Sequence, residues 1–504
     1  MLAAMKRLAG LLVVPFLVSA LAANAADANA RLRVGSKRFT ESYILAQVLA
    51  QTAAPQLAEP PEVKQGLGNT AIVYEALRSG SIDLYPEYAG TVSLEILKSP
   101  KPLALDEMNK ALAPLGLGAA IRLGFNDGYA LAMREADAQR LAIHTLSDLA
   151  KHPELKLGLS NEFIGRGDGW PGLARRYGFR QQPSGLDHGL AYDALAAGQI
   201  DAMDIYTTDA KIAHLHLAVL QDDLGYFPRY DALVLYRLDV PQKFRQAWAA
   251  MRKLEGTIDE KAMIAMNARA ELDGVAFDAI ARDQLAGRGV APTARSGFAA
   301  KLFGPDLGRL TAQHLALVGI SVAIAALVAI PLGLWVFAMP RTRGLLLGLT
   351  GLLQTVPSLA LLAILIAVVG AIGATPAVIA LTLYALLPIM RNTVTGLAEV
   401  PQGLRDAAAA LGMTRMQRLR LVELPLAWPT ILAGIRIATA IAIGTATIAA
   451  FVGAGGLGER IVTGLAINDR DLLLAGALPA AALALLSELA FEVIGRLMQR
   501  RHAT

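Results

Sequence analysis

At 504 residues the chain is too long for one ordinary domain, and its 54% apolar content supplies enough side chain for several cores. A net charge of +5 at pH 7 would suit a polyanion. The basic residues of the second half, however, cluster in loops between apolar runs, which is the distribution of a membrane protein, so no nucleic-acid partner is expected. Cysteine is absent, which excludes a disulfide framework, a cysteine zinc site and a lipid on an N-terminal cysteine.

At the start, Lys6-Arg7, an apolar run from Leu8 to Ala22 and then Ala23-Asn24-Ala25 have the order of an export signal, with cleavage expected after Ala25 or, alternatively, retention as an anchor. Residues 26–295 follow as an exported domain that alternates strand-like and helix-like stretches. Leu32-Arg33-Val34-Gly35 and Leu155-Lys156-Leu157-Gly158-Leu159 each lead through a loop into a helix. Gly-x-Ile-Asp occurs twice at a helix end, as Gly80-Ser81-Ile82-Asp83 and Gly198-Gln199-Ile200-Asp201, where glycine stops the helix before a strand. The repetition predicts two α/β lobes, one over 31–129 and 232–295 and the other over 130–231.

Residues 296–311 carry Gly297, Gly304, Pro305 and Gly308 and read as a linker to a membrane domain over 312–504. Five spans are expected at 313–338, 345–369, 375–395, 427–452 and 472–496, each near the ~20 residues that cross a bilayer. With the receptor exported, this count leaves Arg341, Arg343, Arg391, Arg405, Arg415, Arg418, Arg420, Arg496, Arg500 and Arg501 in the cytoplasm, in agreement with the positive-inside bias. Arg436 and Glu488 fall inside spans, where a charge must face protein or water; each lines a pathway or joins two helices. The run Gly453-Ala454-Gly455-Gly456-Leu457-Gly458 after the fourth span is either a tight re-entrant turn or a flexible loop.

No catalytic signature occurs: there is no His-Glu-x-x-His, no Gly-x-Ser-x-Gly and no phosphate-cradling glycine loop, and the seven histidines are scattered. The chain is expected to be no enzyme and to hold no metal. Between the third and fourth spans, Asp406-Ala407-Ala408-Ala409-Ala410-Leu411-Gly412 is followed by Val422-Glu423-Leu424-Pro425. Small alanines and Gly412 suit two short helices meeting at a sharp angle, and Pro425 suits the first turn of the next span.

This segment resembles the EAA coupling loop of ABC importer permeases, with Asp406 for the usual Glu and Val422 for the usual Ile. The resemblance implies that Asp406, Ala407, Ala408, Gly412, Leu424 and Pro425 contact a cytoplasmic ATPase, which would hold ATP and Mg. In the exported half, Gly35-Ser36-Lys37-Arg38-Phe39-Thr40-Glu41-Ser42 and the loops around Tyr88, Tyr129, Tyr206 and Tyr230 resemble the substrate-binding proteins of glycine betaine/carnitine/choline ABC importers. That resemblance implies a two-lobed type II (Venus flytrap) α/β binding protein ahead of an all-α type I importer permease of about five transmembrane helices. It also implies an aromatic box of Tyr88, Tyr129, Tyr206 and Tyr230 around a quaternary ammonium, with Lys37 and Thr91 as the carboxylate clamp. A cation at Lys37 favours betaine-like zwitterions over bare choline. The expected whole is a bacterial inner-membrane subunit with its receptor on the outer side, paired as a permease homodimer. Another betaine such as ergothioneine or carnitine, choline, or a ligand-gated sensor or channel, are the alternatives.

Overall fold

The computed structural model describes residues 31–287, 297–467 and 469–502. The export signal expected over 1–25 lies outside these residues. Elements are numbered in chain order. The receptor half contains β1 (Arg33–Gly35), α1 (Thr40–Ala53), β2 (Glu62–Lys64), α2 (Thr70–Arg78), β3 (Leu84–Tyr88), β4 (Leu117–Ala120), β5 (Tyr129–Arg134), β6 (Gly158–Ser160), α3 (Asn161–Gly165), β7 (Ser184–Leu186), α4 (His188–Ala196), β8 (Ala202–Tyr206), β9 (Leu217–Val219), β10 (Ala232–Arg237) and α5 (Glu260–Glu271). One sheet runs β2-β1-β3-β10-β4, with β10 antiparallel to both neighbours. The other combines β8-β5-β9 with β6-β7, joined by a parallel bridge between Leu157 and Ala202. Its order is therefore β7-β6-β8-β5-β9, the same topology as the first.

The repeated Gly-x-Ile-Asp explains this likeness at the level of single bonds. Gly80 and Gly198 take φ of 74° and 70°, the left-handed conformation that ends a helix without a Cβ clash. Asp83 then accepts a hydrogen bond from the Arg33 backbone N–H at 2.8 Å, and Asp201 accepts one from the Lys156 N–H at 2.8 Å. Each isoleucine lies against the glycine of the neighbouring strand: a Cβ on Gly35 would come within 2.5 Å of Ile82 Cδ1, and one on Gly158 within 2.6 Å of Ile200 Cδ1. The strands themselves begin one residue after the aspartates, at Leu84 and Ala202, so the Ile-Asp pair is a docking clip that precedes the strand.

In the membrane half, α6 (Leu307–Phe337), α9 (Ala374–Glu399), α12 (Leu424–Ala446) and α14 (Arg470–His502) are long and apolar. The second expected span is bent. It consists of α7 (Pro340–Thr355) and α8 (Ser358–Val369), with a bend of 101° between them. Pro357 supplies the cause, since it has no N–H to continue the helix of α7. Short helices α10 (Gln402–Ala410) and α11 (Arg415–Arg418) precede α12, and α13 (Gly458–Ala466) precedes α14. The expected linker is not wholly extended: Phe298–Leu302 is a helical turn and α6 begins at Leu307. Lys301 pairs with Asp469, and Arg460 pairs with Asp306 and donates to the Leu302 carbonyl at 2.9 Å, which fastens this segment to the permease.

Arg436 and Glu488 contact each other, Nε to Oε1 at 2.6 Å, and Glu492, which the sequence reading passed over, completes the set at 3.2 Å from Arg436. Pairing relieves each charge of part of its desolvation cost. Helices α9 and α12 approach through glycines. A Cβ on Gly434 would meet Asn392 Cβ at 2.6 Å and the Pro388 carbonyl at 2.8 Å, whereas one on Gly319 meets nothing within 4 Å. Gly434→Val is therefore expected to destabilise the membrane half by about 1–3 kcal/mol through overpacking, while Gly319→Val changes little. Thermal unfolding of the detergent-solubilised chain checks this, and equal effects at both positions would count against close packing at Gly434.

Candidate functional site

The four tyrosines stand where the chain passes from one sheet to the other. Tyr88 ends β3, Tyr129 begins β5, Tyr206 ends β8 and Tyr230 lies two residues before β10. Antiparallel register sets Tyr129 opposite Tyr206, with ring centroids 5.2 Å apart, and Tyr230 meets Tyr129 edge-on at 5.6 Å. Phe39, just ahead of α1, lies 5.3 Å from Tyr206 and 6.3 Å from Tyr88. These rings with Lys37, Thr91, Asp127 and Glu162 line a cavity between the lobes. Lys37, Tyr88, Thr91, Tyr129, Tyr206 and Tyr230 thus come together on one wall system. Phe39, Asp127 and Glu162 were not singled out from sequence; the first two sit inside the tyrosine-bearing and lysine-bearing motifs, and Glu162 carried no signal.

Two of the four tyrosine hydroxyls are engaged by carboxylates that do not line the cavity. Tyr230 donates to Asp168 at 2.8 Å and Tyr88 to Glu41 at 2.5 Å. Lys37 is not a free cation: its ammonium lies 2.6 Å from Glu87 Oε1, both side chains are buried, and it sits 4.9 Å from the Tyr88 ring centroid. Lys37 is compensated by Glu87 and does not act as the bare cation expected to disfavour choline. A second cation, missed from sequence, is Arg166, which follows α3. Its guanidinium is 4% exposed, donates to Thr91 Oγ1 at 3.1 Å, grips Asp168 at 2.8 and 2.6 Å, and lies 5.2 Å from the Tyr129 ring centroid. Burial opposes ionisation of Asp168, but hydrogen bonds from Arg166 and Tyr230 outweigh it and hold the carboxyl below its usual range.

Behind the cavity lies a buried polar cluster. Glu41 accepts from Tyr88, from Thr208 Oγ1 at 2.6 Å and from Asn267 at 3.3 Å, while Asp127 stands 2.9 Å from the same Thr208 hydroxyl. One hydroxyl hydrogen serves only one carboxylate, so the arrangement calls for a proton on the acids themselves. Burial pushes Glu41 up to about 7 and Asp127 well above the carboxylate range.

At the far ends of α9 and α12 stands the Asp406 segment. Gly412 has φ of 77° and open space where its Cβ would be, so at the bend expected between two short helices glycine is required by backbone conformation. The Met413 N–H closes the end of α10 by donating to the Ala408 carbonyl at 3.1 Å. Ala408 is buried, Ala407 exposed, and exposed Asp406 accepts from Gln402 at 2.9 Å. Glu423, buried and not singled out earlier, fixes the segment by pairing with Arg418 at 3.1 Å and Arg405 at 3.6 Å. Leu424 and Pro425 open α12. Leu404, Leu411, Met416 and Leu421 project into solvent around it, an apolar surface of the kind that seats a partner.

Residues 30–287 match the family described as the substrate-binding domain of an ABC-type glycine betaine transport system, and residues 318–503 match the binding-protein-dependent transport system inner membrane component. The chain belongs to this ABC importer family. It is a fused binding-protein and permease subunit, hence a multi-pass transporter component of the inner membrane. An ergothioneine transport permease/ergothioneine binding protein of Helicobacter pylori is 34% identical over 263 residues, 50% of this chain and 47% of that protein. The chain thus spans about half the length of that relative. The choline transport system permease protein of Bacillus subtilis is 42% identical over 193 residues, 38% of this chain and 88% of that one. A glycine betaine/carnitine/choline ABC transporter of known crystal structure is 26% identical and superposes with a TM-score of 0.43, covering 51% of this chain and 98% of that chain.

Two outcomes follow for this importer subunit. The folded-state pKa of Glu41, about 7, exceeds its unfolded value of 4.5, so folding takes up a proton in that window. The group's contribution to stability is intact below pH 4.5, declines as pH rises to about 7 and is flat above it. Glu41→Gln is expected to remove that part of the decline in receptor unfolding temperature; an unaltered pH slope would place the proton elsewhere. At the other end, Gly412→Asp is expected to abolish uptake while leaving ligand affinity unchanged, since a side chain at φ of 77° is strained and adds charge to the exposed surface. Full transport by this variant at normal expression would show that the segment does not couple.

Proposed function

We propose that this subunit imports zwitterionic quaternary ammonium compounds, with glycine betaine the simplest. The observation that carries the reading is the convergence of Tyr88, Tyr129, Tyr206, Tyr230 and Phe39 on one interlobe cavity whose remaining wall holds Lys37, Thr91, Asp127 and Glu162. A trimethylammonium has no N–H, so hydrogen bonds do not select it. Ring faces do, at about 0.5–2 kcal/mol each when desolvated. Four such contacts and a clamped carboxylate reach the roughly 8 kcal/mol of a micromolar site. Thr91 and Arg166 behind it form the clamp together with Lys37, because Arg166 brings a cation to the cavity wall from the opposite lobe.

Glu162 favours a second reading within the same class. It is a hydrogen-bond acceptor on the wall, held by Thr70 at 2.9 Å, and would accept from the ring N–H of a larger betaine such as ergothioneine. A separate cytoplasmic ATPase carrying ATP and Mg supplies the energy in this reading. Two copies of the chain form the pore, with the receptors on the outer face and the Asp406 segments inside. Topology supports this orientation: α9 runs from the receptor-facing side to the Asp406 segment and α12 returns from it, and Arg391, Arg405, Arg415, Arg418 and Arg420 flank that end.

Calorimetric titration of the full chain with glycine betaine, choline, carnitine, ergothioneine and proline tests the class, and binding of proline alone would sink it. Tyr206→Ala is expected to weaken betaine binding by about 1–3 kcal/mol and Tyr206→Phe by much less, because the ring face is kept. Tyr230 differs, since its hydroxyl anchors Asp168 and a Phe there loses that bond. Thr91→Asp should turn preference from betaine towards choline, because the new carboxylate pairs with Arg166 and removes the cation offered to the ligand. Unchanged relative affinities in Thr91→Asp would take Thr91 and Arg166 out of the clamp.

A further inference from the structure

The receptor does not hang free of the permease. Both lobes rest on the outer segment that follows α12, and one side chain joins the three bodies. Arg38 donates to Asp187 of the other lobe at 2.9 Å, and its guanidinium lies 5.0 Å from the ring centroid of Phe451 in the permease. The Arg38 N–H is held by the Gly68 carbonyl at 3.0 Å. The adjacent Leu67 seats on the permease turn, where a Cβ on Gly453 would come within 2.4 Å of Leu67 Cδ2. On the second lobe, Asp187 caps α4 by accepting from the Gly189 N–H at 3.2 Å. Gly189 in turn abuts α13: a Cβ there would lie 2.6 Å from the Leu465 carbonyl oxygen and 2.9 Å from that of Ala466.

Phe39, the next residue after Arg38, lines the ligand cavity. The Arg38-Phe39 dipeptide therefore faces the ligand with one side chain and the permease with the other. If the lobes part, Asp187 leaves Arg38 and the α4 end withdraws from α13, so the two lobe contacts form together only in the closed receptor.

We propose that Arg38 is a positioning residue through which the permease reads receptor closure: the Arg38–Asp187 pair assembles a two-lobe docking surface, and Phe451 is the permease group that recognises it. Arg38 touches no ligand in this role; it acts through Asp187 and Phe451. The proposal rests on the ligand reading above, because closure is taken to follow quaternary ammonium binding.

The absence of cysteine permits a direct test in the full chain. Asp193→Cys with Arg470→Cys replaces an exposed contact between α4 and α14, 3.4 Å in the closed arrangement, with a pair that a short bismaleimide joins. Glycine betaine is expected to raise cross-linking of this pair at least threefold in reconstituted protein. Arg38→Ala and Phe451→Ala should each abolish the rise, Phe451→Tyr should keep it, and Phe451→Ala should leave the calorimetric betaine Kd within twofold because Phe451 is outside the cavity. A ligand-dependent rise that persists in both alanine variants overturns the proposal. So does a Phe451→Ala protein whose cross-linking falls only in proportion to lost betaine affinity. If calorimetry finds no betaine binding to the parent pair, the ligand reading has failed instead, and the same variants are judged with whichever of carnitine, choline or ergothioneine binds.

Discussion

The cavity depends on where two antiparallel strand pairs end. Between β5 and β8, and between β3 and β10, side chains at the last paired positions lie beside the crossings from one lobe to the other. Tyr88, Tyr129, Tyr206 and Tyr230 occupy or adjoin those positions. A strand end is rigid on its paired side and open on the other, so each ring is held by a ladder yet faces the cleft. A register slip of one residue would turn Tyr129 or Tyr206 to the opposite face and dismantle the cage.

Charge in the receptor is arranged in pairs before any ligand arrives. Lys37 has Glu87, Arg166 has Asp168, and Arg38 has Asp187. An unpaired ion in a buried aromatic cavity would cost more than it returns in attraction, and partners lower that cost while fixing the position of the charge. The same logic puts the tyrosine hydroxyls on Glu41 and Asp168, which orients the rings and satisfies their polar ends. What faces the cavity is five rings together with the polar groups Lys37, Thr91, Asp127 and Glu162.

In the permease the corresponding constraint is close approach of backbones in a medium that rewards no hydrophobic burial. Glycines at 396 and 434 let α9 and α12 meet, and Gly453, Gly455 and Gly456, all at positive φ, fold the outer turn tightly enough to sit under Leu67 of the receptor and against Gln313 of α6. That run is a packed turn, which resolves the choice left open by its composition. Receptor contact and the Asp406 segment thus lie at opposite ends of the same two helices, so a rigid displacement of α9 and α12 is a physical route between those two ends.

Sequence alone determined what is local or periodic. Apolar runs fix membrane spans because the bilayer sets their length; the double Gly-x-Ile-Asp fixes two like lobes because each unit makes the same clip. Motif-bearing tyrosines could be named because each sits in a distinctive polar loop. Tertiary structure decided what depends on a distant partner. The neutralising Glu87 beside Lys37, Arg166 beside Thr91 and Glu423 beneath the Asp406 segment all required knowing which chain segment lies alongside. Glu162 and Arg166 come from a stretch with no local pattern, and only closure of one lobe on the other brings them to the cavity. Charge pairing and cavity walls are properties of contacts far apart in sequence, and spacing along one chain carries no record of them.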